Sequence, residues 1–229
     1  MSDDLAVARD AIAGTPLLKG YAGTIFRLGG LTNMVFQAGE AFRKLHRSGA
    51  VFPFRFYLFS MIDDYLKILS TKDVVLPKGY NDVLKEAEDI RTALSLHPAP
   101  LVACHCDPLC ENFLDAGERM WIVDWEYSGM NDPMWDLGDL SIEGKFGERQ
   151  EEEMLTAYFS GEPKPAERGR VVIYKAMCDL LWTLWGLIQL ANENPAEDFR
   201  AYADGRFQRC RKLMQTKDFS RHVEAVRNG

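Results

Sequence analysis

The sequence predicts an α+β fold in which a mostly helical body carries a small β element. Three observations support this prediction: apolar residues recur at helical spacing through most of the chain, proline and glycine divide it into segments of helix length, and short β-type runs are confined to two regions. The 229 residues are 47% hydrophobic and 27% charged. This composition is ordinary for a globular protein and excludes the disordered and low-complexity classes.

Charge and cysteine content restrict the class further. The formal net charge of −7 argues against a general nucleic-acid-binding protein, because such proteins carry basic surfaces. The acidic start Met1–Asp4 lacks the basic region of a signal peptide, and five cysteines in a chain of this size are typical of a reduced, cytoplasmic protein. The most apolar window, 177–191, is shorter than the about 20 residues that span a membrane, so we expect a buried helix there.

Helical segments are predicted wherever apolar residues recur every three or four positions. Prolines between segments support the boundaries, since proline cannot continue a helix interior. The predicted segments are 3–14, a helix beginning at Glu40, 58–69, 81–96, 150–159, 168–192 and 196–214.

The central β element is predicted to carry polar residues at the ends of its strands. An apolar strand is expected over 101–104, followed by a hairpin with strands 112–114 and 120–123. This hairpin would place Asn112 opposite Asp124, give or take one residue. Their side chains would then be close enough to share one metal ion.

The segment around this hairpin has the residue types of phosphoryl transfer. His105 and Asp107 form a His-x-Asp motif, Asn112 follows after four residues, and Asp124 ends the next strand. In phosphoryl transfer an aspartate accepts the proton of the substrate hydroxyl, while an asparagine and a second aspartate hold Mg²⁺ against the nucleotide phosphates. Asp107 before Pro108 is also typical of a turn and Asp124 of a strand end, and the His-x-Asp motif with Asn112 alone would favour this structural interpretation. Together, with a hairpin turn between them, they favour kinase chemistry.

These motifs resemble the choline/ethanolamine kinase family, which has the aminoglycoside-phosphotransferase variant of the protein-kinase fold. The resemblance implies a large, mostly helical C-terminal lobe with a catalytic β-hairpin, and a small N-terminal β lobe that is incomplete in this chain. It rests on segments 105–112, 122–127 and 132–138, with further similarity at 27–36, 181–189 and 202–207.

The resemblance implies roles for individual residues. Asp107 would be the catalytic base, within the motif that begins at His105. Asn112 and Asp124 would bind Mg²⁺, and Asp136 would support the catalytic loop. The turn over the ATP phosphates would include Gly29, Gly30, Thr32 and Asn33.

The resemblance also implies an amino-alcohol substrate that is held by its ammonium group. A quaternary ammonium cannot donate a hydrogen bond, so proteins bind it with aromatic faces and a nearby carboxylate. Trp182 and Trp185 are three residues apart and can share one helix face, and Tyr202 and Glu143 would complete the set. Without the resemblance, an apolar helix of this kind would be interpreted simply as core.

The N-terminal region departs from the family. Two β-type runs, Thr24–Phe26 and Met34–Phe36, flank a glycine pair and predict a hairpin. The chain then passes from Gly39 directly to a helix at Glu40, where relatives continue the nucleotide lobe with a lysine, its glutamate partner and a hinge.

We therefore predict two regions. Residues 1–39 would be a remnant of the nucleotide lobe and 40–229 a helical catalytic and substrate lobe, with a segment missing between 39 and 40. Either the protein lacks this segment, or the printed sequence joins residues that are distant in the full chain; we favour the second explanation.

The predicted function is ATP- and Mg²⁺-dependent transfer of a phosphoryl group to the hydroxyl of choline, ethanolamine or a similar amino alcohol. If the nucleotide lobe is absent, the alternative is a non-catalytic pseudokinase or amine-binding module. A kinase of the same fold that acts on thiamine or an aminoglycoside is a further alternative. No nucleic-acid partner and no membrane span are expected, and a homodimer is left open.

Overall fold

Eight helices and two small β ladders form the described part of the chain, residues 32–115 and 120–229 of a computed structural model. The helices are α1 (Thr32–His46), α2 (Leu58–Leu69), α3 (Tyr80–Leu96), α4 (Met134–Glu143), α5 (Glu148–Phe159), α6 (Pro165–Ala191), α7 (Phe199–Met214) and α8 (Lys217–Asn228). The strands are β1 (Val102–Cys104), β2 (Phe113–Asp115), β3 (Met120–Ile122) and β4 (Gly129–Asn131), and a 3₁₀ turn covers Cys110–Asn112. The predicted α+β class is confirmed.

The two ladders flank the loop over 105–109. Strand β1 pairs antiparallel with β4, and β2 pairs antiparallel with β3 in a hairpin with Phe113 opposite Ile122. The backbone N–H of Val123 extends this hairpin by donating to the Asn112 carbonyl at 2.9 Å. The loop is therefore anchored by a strand on one side and a hairpin on the other.

Helix α1 corrects the prediction of a hairpin strand at Met34–Phe36. Met34, Ala38 and Phe42 recur every four residues and are all buried, so they form one helical stripe that packs against α5. Three successive apolar residues fit a strand or a helix equally well, and only the continuation of the stripe decides between them. The run Thr24–Phe26 and the predicted helix over 3–14 lie outside the described residues.

Helix α1 runs through Gly39 and Glu40 without interruption. At Gly39 the helix lies so close to α5 that a Cβ would collide with the carbonyl oxygen of Met154. The division of the chain at this point and the missing segment stay predictions.

Helix α6 is the centre of the core and packs against α4, α7 and α8. Gly186 allows α7 to approach closely, because a Cβ at this position would lie 2.6 Å from Cδ1 of Tyr202. By length and composition α6 could cross a membrane, but 78% of its most apolar window is buried inside the protein. The helix therefore has the burial of a core helix, as predicted for 177–191.

Five predicted helices match α2, α3, α5, α6 and α7 to within three residues at each end. The sequence analysis did not predict α4, α8 or β4. In α4 every residue from Met134 to Ser141 is buried, including Asp136 and Asp139. Two buried acids hide the periodicity that identifies a helix with one polar face.

Candidate active site

Asp136 on α4 fixes the backbone of the loop after β1. Its carboxylate accepts hydrogen bonds from the backbone N–H groups of His105 and Cys106, both at 2.8 Å, and lies 3.0 Å from Nε2 of His46. These partners replace the water that the buried carboxylate has lost. They also hold Cys106 at a φ of 69°, which is costly for a residue other than glycine. This is the supporting contact that the resemblance implied for Asp136.

His105 is fully buried and ties the loop to the hairpin. Its Nε2 lies 2.8 Å from the carbonyl oxygen of Val123, which can only accept, so Nε2 carries the proton. Its ring centroid is 4.9 Å from that of Trp125. Nδ1 is buried and has no hydrogen-bond partner among the described residues. The His105 side chain thus holds the loop in place through its hydrogen bond to the hairpin backbone.

Asn112 and Asp124 lie at one end of the β2–β3 hairpin. Asn112 is opposite Val123, one residue from Asp124, which is the predicted arrangement within its margin of one residue. The side-chain amide of Asn112 donates to the carbonyl of Asp107 at 3.1 Å, so the amide oxygen is the atom left to bind a cation. Asp124 is exposed, with a φ of 65°. One amide and one carboxylate oxygen suit Mg²⁺, so the donor chemistry fits this ion.

Asp107 is largely buried among other acidic groups. Burial, together with the nearby carboxylates of Glu143 and Asp124, raises the pKa of Asp107 to about 7, although Arg206 opposes this shift. A carboxyl group with a pKa near the working pH is well matched to accept and release a proton.

A cavity of about 380 Å³ opens beside Asp107. Its volume lies within the roughly 300–1,000 Å³ that is typical of small-molecule sites. Arg206 is the one cationic side chain among the described residues that line it, so the cavity is strongly acidic. Its aromatic members are Tyr127, Trp182, Trp185 and Tyr202, and its acidic members are Asp107, Asp124, Glu126, Glu143 and Glu197.

The four aromatic side chains form a continuous cluster with their rings steeply inclined. The ring centroid of Trp182 lies 5.4 Å from that of Tyr127 and 6.2 Å from that of Trp185, at interplanar angles of 84° and 90°. Trp185 lies 5.7 Å from Tyr202 at 62°. All four side chains line the cavity, and the faces of aromatic rings attract cations.

Glu143 is paired with Arg206 on α7. The guanidinium donates to both carboxylate oxygens, with Nη2 2.9 Å from Oε2, and its Nη1 lies 3.3 Å from Oδ1 of Asp179. Its central carbon lies 4.6 Å from the ring centroid of Tyr202. Burial opposes the charge of Arg206, but its contacts with Glu143 outweigh this effect and raise the pKa of the guanidinium. The carboxylate predicted to balance a substrate's charge is therefore already balanced within the protein.

A second buried acid, Asp139, lies close to this pair. One of its oxygens accepts from Sγ of Cys178 at 3.0 Å, and the other has no partner among the described residues. Burial and the neighbouring Glu143 and Asp107 raise the pKa of Asp139 well above its ordinary value. This environment therefore favours the protonated form of Asp139.

The structure brings together most of the site residues predicted from sequence. Asn112 and His105 support the surrounding loop, and neither is among the described residues lining the cavity. Gly29 and Gly30 lie outside the described residues, and Thr32 and Asn33 begin α1 instead of forming a turn. The predicted residues that line the cavity are Asp107, Asp124, Glu143, Trp182, Trp185 and Tyr202.

Sequence reasoning missed Tyr127 and Arg206. Tyr127 is three residues after Asp124, within a segment that carries the resemblance, so its position beside a predicted metal ligand was the available signal. Arg206 is four residues after Tyr202 on α7, a spacing that places both side chains on one helix face.

Comparison with known proteins shows the family to which this chain belongs. The profile of the phosphotransferase enzyme family matches residues 8–168. A crystal structure of a choline/ethanolamine kinase family protein from Mesorhizobium loti is 56% identical, with a TM-score of 0.83 over 99% of this chain and 100% of that chain. The chain therefore belongs to the phosphotransferase enzyme family and, within it, to the choline/ethanolamine kinase family. The resemblance and its kinase-like fold are confirmed.

Relatives of lower identity extend the comparison. The structures of choline kinase LicA from Streptococcus pneumoniae and of LicA in complex with AMP are each 27% identical to this chain and cover 85% of it. The matched regions make up 67% and 66% of those two chains, and the TM-scores are 0.72 and 0.71. Ethanolamine kinase 2 from Mus musculus is 28% identical over 169 residues, which are 62% of this chain and 44% of the relative. The chain spans 66% and 52% of the length of the first two curated relatives, both named LicA.

Proposed function

We propose that this protein transfers the γ-phosphoryl group of ATP to the hydroxyl of choline, ethanolamine or a similar amino alcohol, with Mg²⁺ as cofactor. One observation carries this proposal: Asp107 and Asp124 line the same cavity as Trp182, Trp185 and Tyr202. A proton acceptor, a metal ligand and an aromatic surface for a cation therefore adjoin one space.

Asp107 orients the substrate hydroxyl and accepts its proton. Its pKa of about 7 supports this role, since the carboxylate form is available at neutral pH. The loop that carries it is fixed by the hydrogen bonds that its backbone N–H groups donate to Asp136, and phosphoryl transfer depends mainly on such positioning.

Asn112 and Asp124 hold Mg²⁺ through oxygen atoms at the end of the hairpin. When bound, the ion neutralises charge on the nucleotide phosphates. The hydrogen bond from Asn112 to the Asp107 backbone fixes the position of the metal ligand relative to the base. The LicA complex with AMP supports the use of a nucleotide. The contacts of the phosphates with Gly29, Gly30, Thr32 and Asn33 rest on sequence alone.

The aromatic cluster receives the ammonium group of the amino alcohol, and Tyr127 belongs to it together with Trp182, Trp185 and Tyr202. Ring faces attract a cation without requiring a hydrogen bond. The excess of acidic side chains in the cavity adds attraction for any positively charged substrate. The names of the relatives, choline kinase and ethanolamine kinase 2, support this substrate class.

The test is a Mg²⁺-ATP assay of the purified protein with choline, ethanolamine, thiamine and an aminoglycoside, in which ADP and the phosphorylated product are both measured. Phosphorylation of choline or ethanolamine is expected. Turnover of thiamine or the aminoglycoside alone would move the substrate class within the same fold. Calorimetric binding of an amine without nucleotide binding or turnover would favour the non-catalytic module.

The intact mass of the protein tests the predicted gap. A mass several kilodaltons above that of the printed 229 residues, together with a peptide map that places the extra residues between 39 and 40, would mean that a segment lies there. A mass equal to that of the printed residues would mean that the nucleotide lobe is reduced. A cytoplasmic location and a homodimer stay predictions.

A further inference from the structure

We infer that Arg206 sets the substrate preference of the cavity by neutralising Glu143, so that a fully alkylated ammonium is accepted better than a primary one. Because this preference concerns the amino alcohol of the proposed function, it rests on that function. Three features of Arg206 support it: the way it pairs with Glu143, its position over Tyr202, and its anchorage to Asp179.

The pair between Arg206 and Glu143 leaves no free charge for a substrate. Both carboxylate oxygens accept from the guanidinium, and the two side chains are only 10% and 11% exposed. A primary ammonium has three N–H donors that must find acceptors once water is removed. A carboxylate whose two oxygens already accept hydrogen bonds from one guanidinium is a poor acceptor for such a group.

The remaining acidic side chains do not replace Glu143. Glu126 and Glu197 are exposed, so water competes for their oxygens and an ion pair with them adds little. In the proposed function, Asp107 is engaged by the substrate hydroxyl and Asp124 by Mg²⁺. An entering primary ammonium therefore loses its hydration without gaining buried acceptors.

A quaternary ammonium has no such requirement. It donates no hydrogen bond and is held by ring faces. Because the guanidinium already covers one face of Tyr202 at 4.6 Å, the substrate cation is directed toward Trp182, Trp185 and Tyr127. The cavity thus combines an aromatic surface with a neutralised carboxylate.

Arg206 is a fixed part of the cavity. Its Nη1 also lies 3.3 Å from Asp179, which is itself held by Arg209 through bonds of 2.6 and 3.0 Å. Displacing the guanidinium would leave Glu143, whose side chain is only 11% exposed, without a counter-charge, which is unfavourable. We therefore expect Arg206 to keep this position when substrate binds.

The experiment compares kcat/KM for choline and for ethanolamine, with calorimetric binding of each amine as a second readout. The wild-type protein is expected to prefer choline by at least about 10-fold, the effect of one missing hydrogen bond to a charged group. Arg206→Met frees the Glu143 carboxylate and is expected to raise the ethanolamine-to-choline ratio by at least about 10-fold. Arg209→Met is the matched control: it also removes a partner of Asp179 but leaves Glu143 paired, so the ratio should not change.

The double variant Arg206→Met/Glu143→Gln removes the freed carboxylate together with the guanidinium. Its ethanolamine-to-choline ratio is expected to return to the wild-type value, and it avoids a buried unpaired charge if the single variant fails to fold. Equal ratios in the wild type and Arg206→Met, or a wild-type preference for ethanolamine, would overturn this inference alone. Failure of the wild type to phosphorylate either amine would overturn the proposed function and this inference with it.

Discussion

The carboxylate of Asp136 accepts the backbone N–H of His105 at 2.8 Å, so a buried side chain of α4 sets the conformation of the loop that carries Asp107. The same carboxylate lies 3.0 Å from Nε2 of His46, whose Nδ1 lies 2.9 Å from the hydroxyl of Tyr158. Side chains of helices α1, α4 and α5 therefore form one chain of polar contacts that ends at the loop. The position of the proposed base depends on contacts that are remote from any substrate.

Asp136→Asn should lower both stability and turnover. The amide would present a donor where the carboxylate now accepts only, leaving at least one buried group unsatisfied at a cost of about 1–3 kcal/mol. Loss of a fixed loop should reduce kcat at least about 10-fold, because positioning supplies much of the catalysis. Chemical denaturation and steady-state kinetics measure the two effects.

Asp204→Asn is the matched control for Asp136→Asn. Asp204 is partly exposed and pairs with Arg200 at 2.9 Å within one helix, an interaction that contributes less than about 1 kcal/mol. If both variants lost stability and activity to the same extent, the supporting role of Asp136 would be wrong.

Asp139 should make stability depend on pH. Burial, with Glu143 and Asp107 nearby, raises its pKa, so the folded protein keeps a proton that the unfolded chain releases above about pH 4. The stabilising effect of this proton is complete below about pH 4. It is lost as the pH rises toward the folded-state pKa, by up to about 1.4 kcal/mol per pH unit.

Asp139→Asn removes this titration while keeping an acceptor for Cys178. In denaturation experiments, the free energy of unfolding of the variant, measured relative to that of the wild type, should increase as the pH is raised from about 5 to about 7. A constant difference between the two proteins over this range would show that Asp139 is already ionised in the folded state.

Trp185→Ala should weaken the binding of choline more than that of ATP. A cation over a ring face contributes about 0.5–2 kcal/mol, which corresponds to a roughly 2- to 30-fold rise in the Kd for choline. Trp185→Phe retains a ring and should lose less. Calorimetry with choline and with Mg²⁺-ATP separates the two ligands. Equal losses for both ligands would indicate collapse of the contact between α6 and α7 instead of loss of a cation site.

The sequence predicted α6 and α7 well because their apolar residues recur with the helical period and prolines mark the chain breaks near their starts. It failed at Met34–Phe36, where a short apolar run is compatible with both types of element. It missed α4 because buried acids interrupt the apolar pattern. Local periodicity therefore identifies elements with one polar face, and tertiary packing decides the others.

The same distinction applies to the site. Asn112 and Asp124 follow from the chain itself, because a hairpin joins their strands and its register fixes their separation. The pair between Glu143 and Arg206 joins residues 63 positions apart on different helices, so no local pattern indicates it. Trp182, Trp185 and Tyr202 could be proposed only through the family resemblance, since their helices are also typical core helices.

The most direct measurement is phosphoryl transfer from Mg²⁺-ATP to choline and ethanolamine by the wild type and by Asp107→Ala, with calorimetric binding of Mg²⁺-ATP to both proteins. We expect the variant to lose turnover by at least about 100-fold, because the base that orients the hydroxyl is gone, while it still binds Mg²⁺-nucleotide. Full activity in Asp107→Ala would contradict the assignment of Asp107 as the catalytic base.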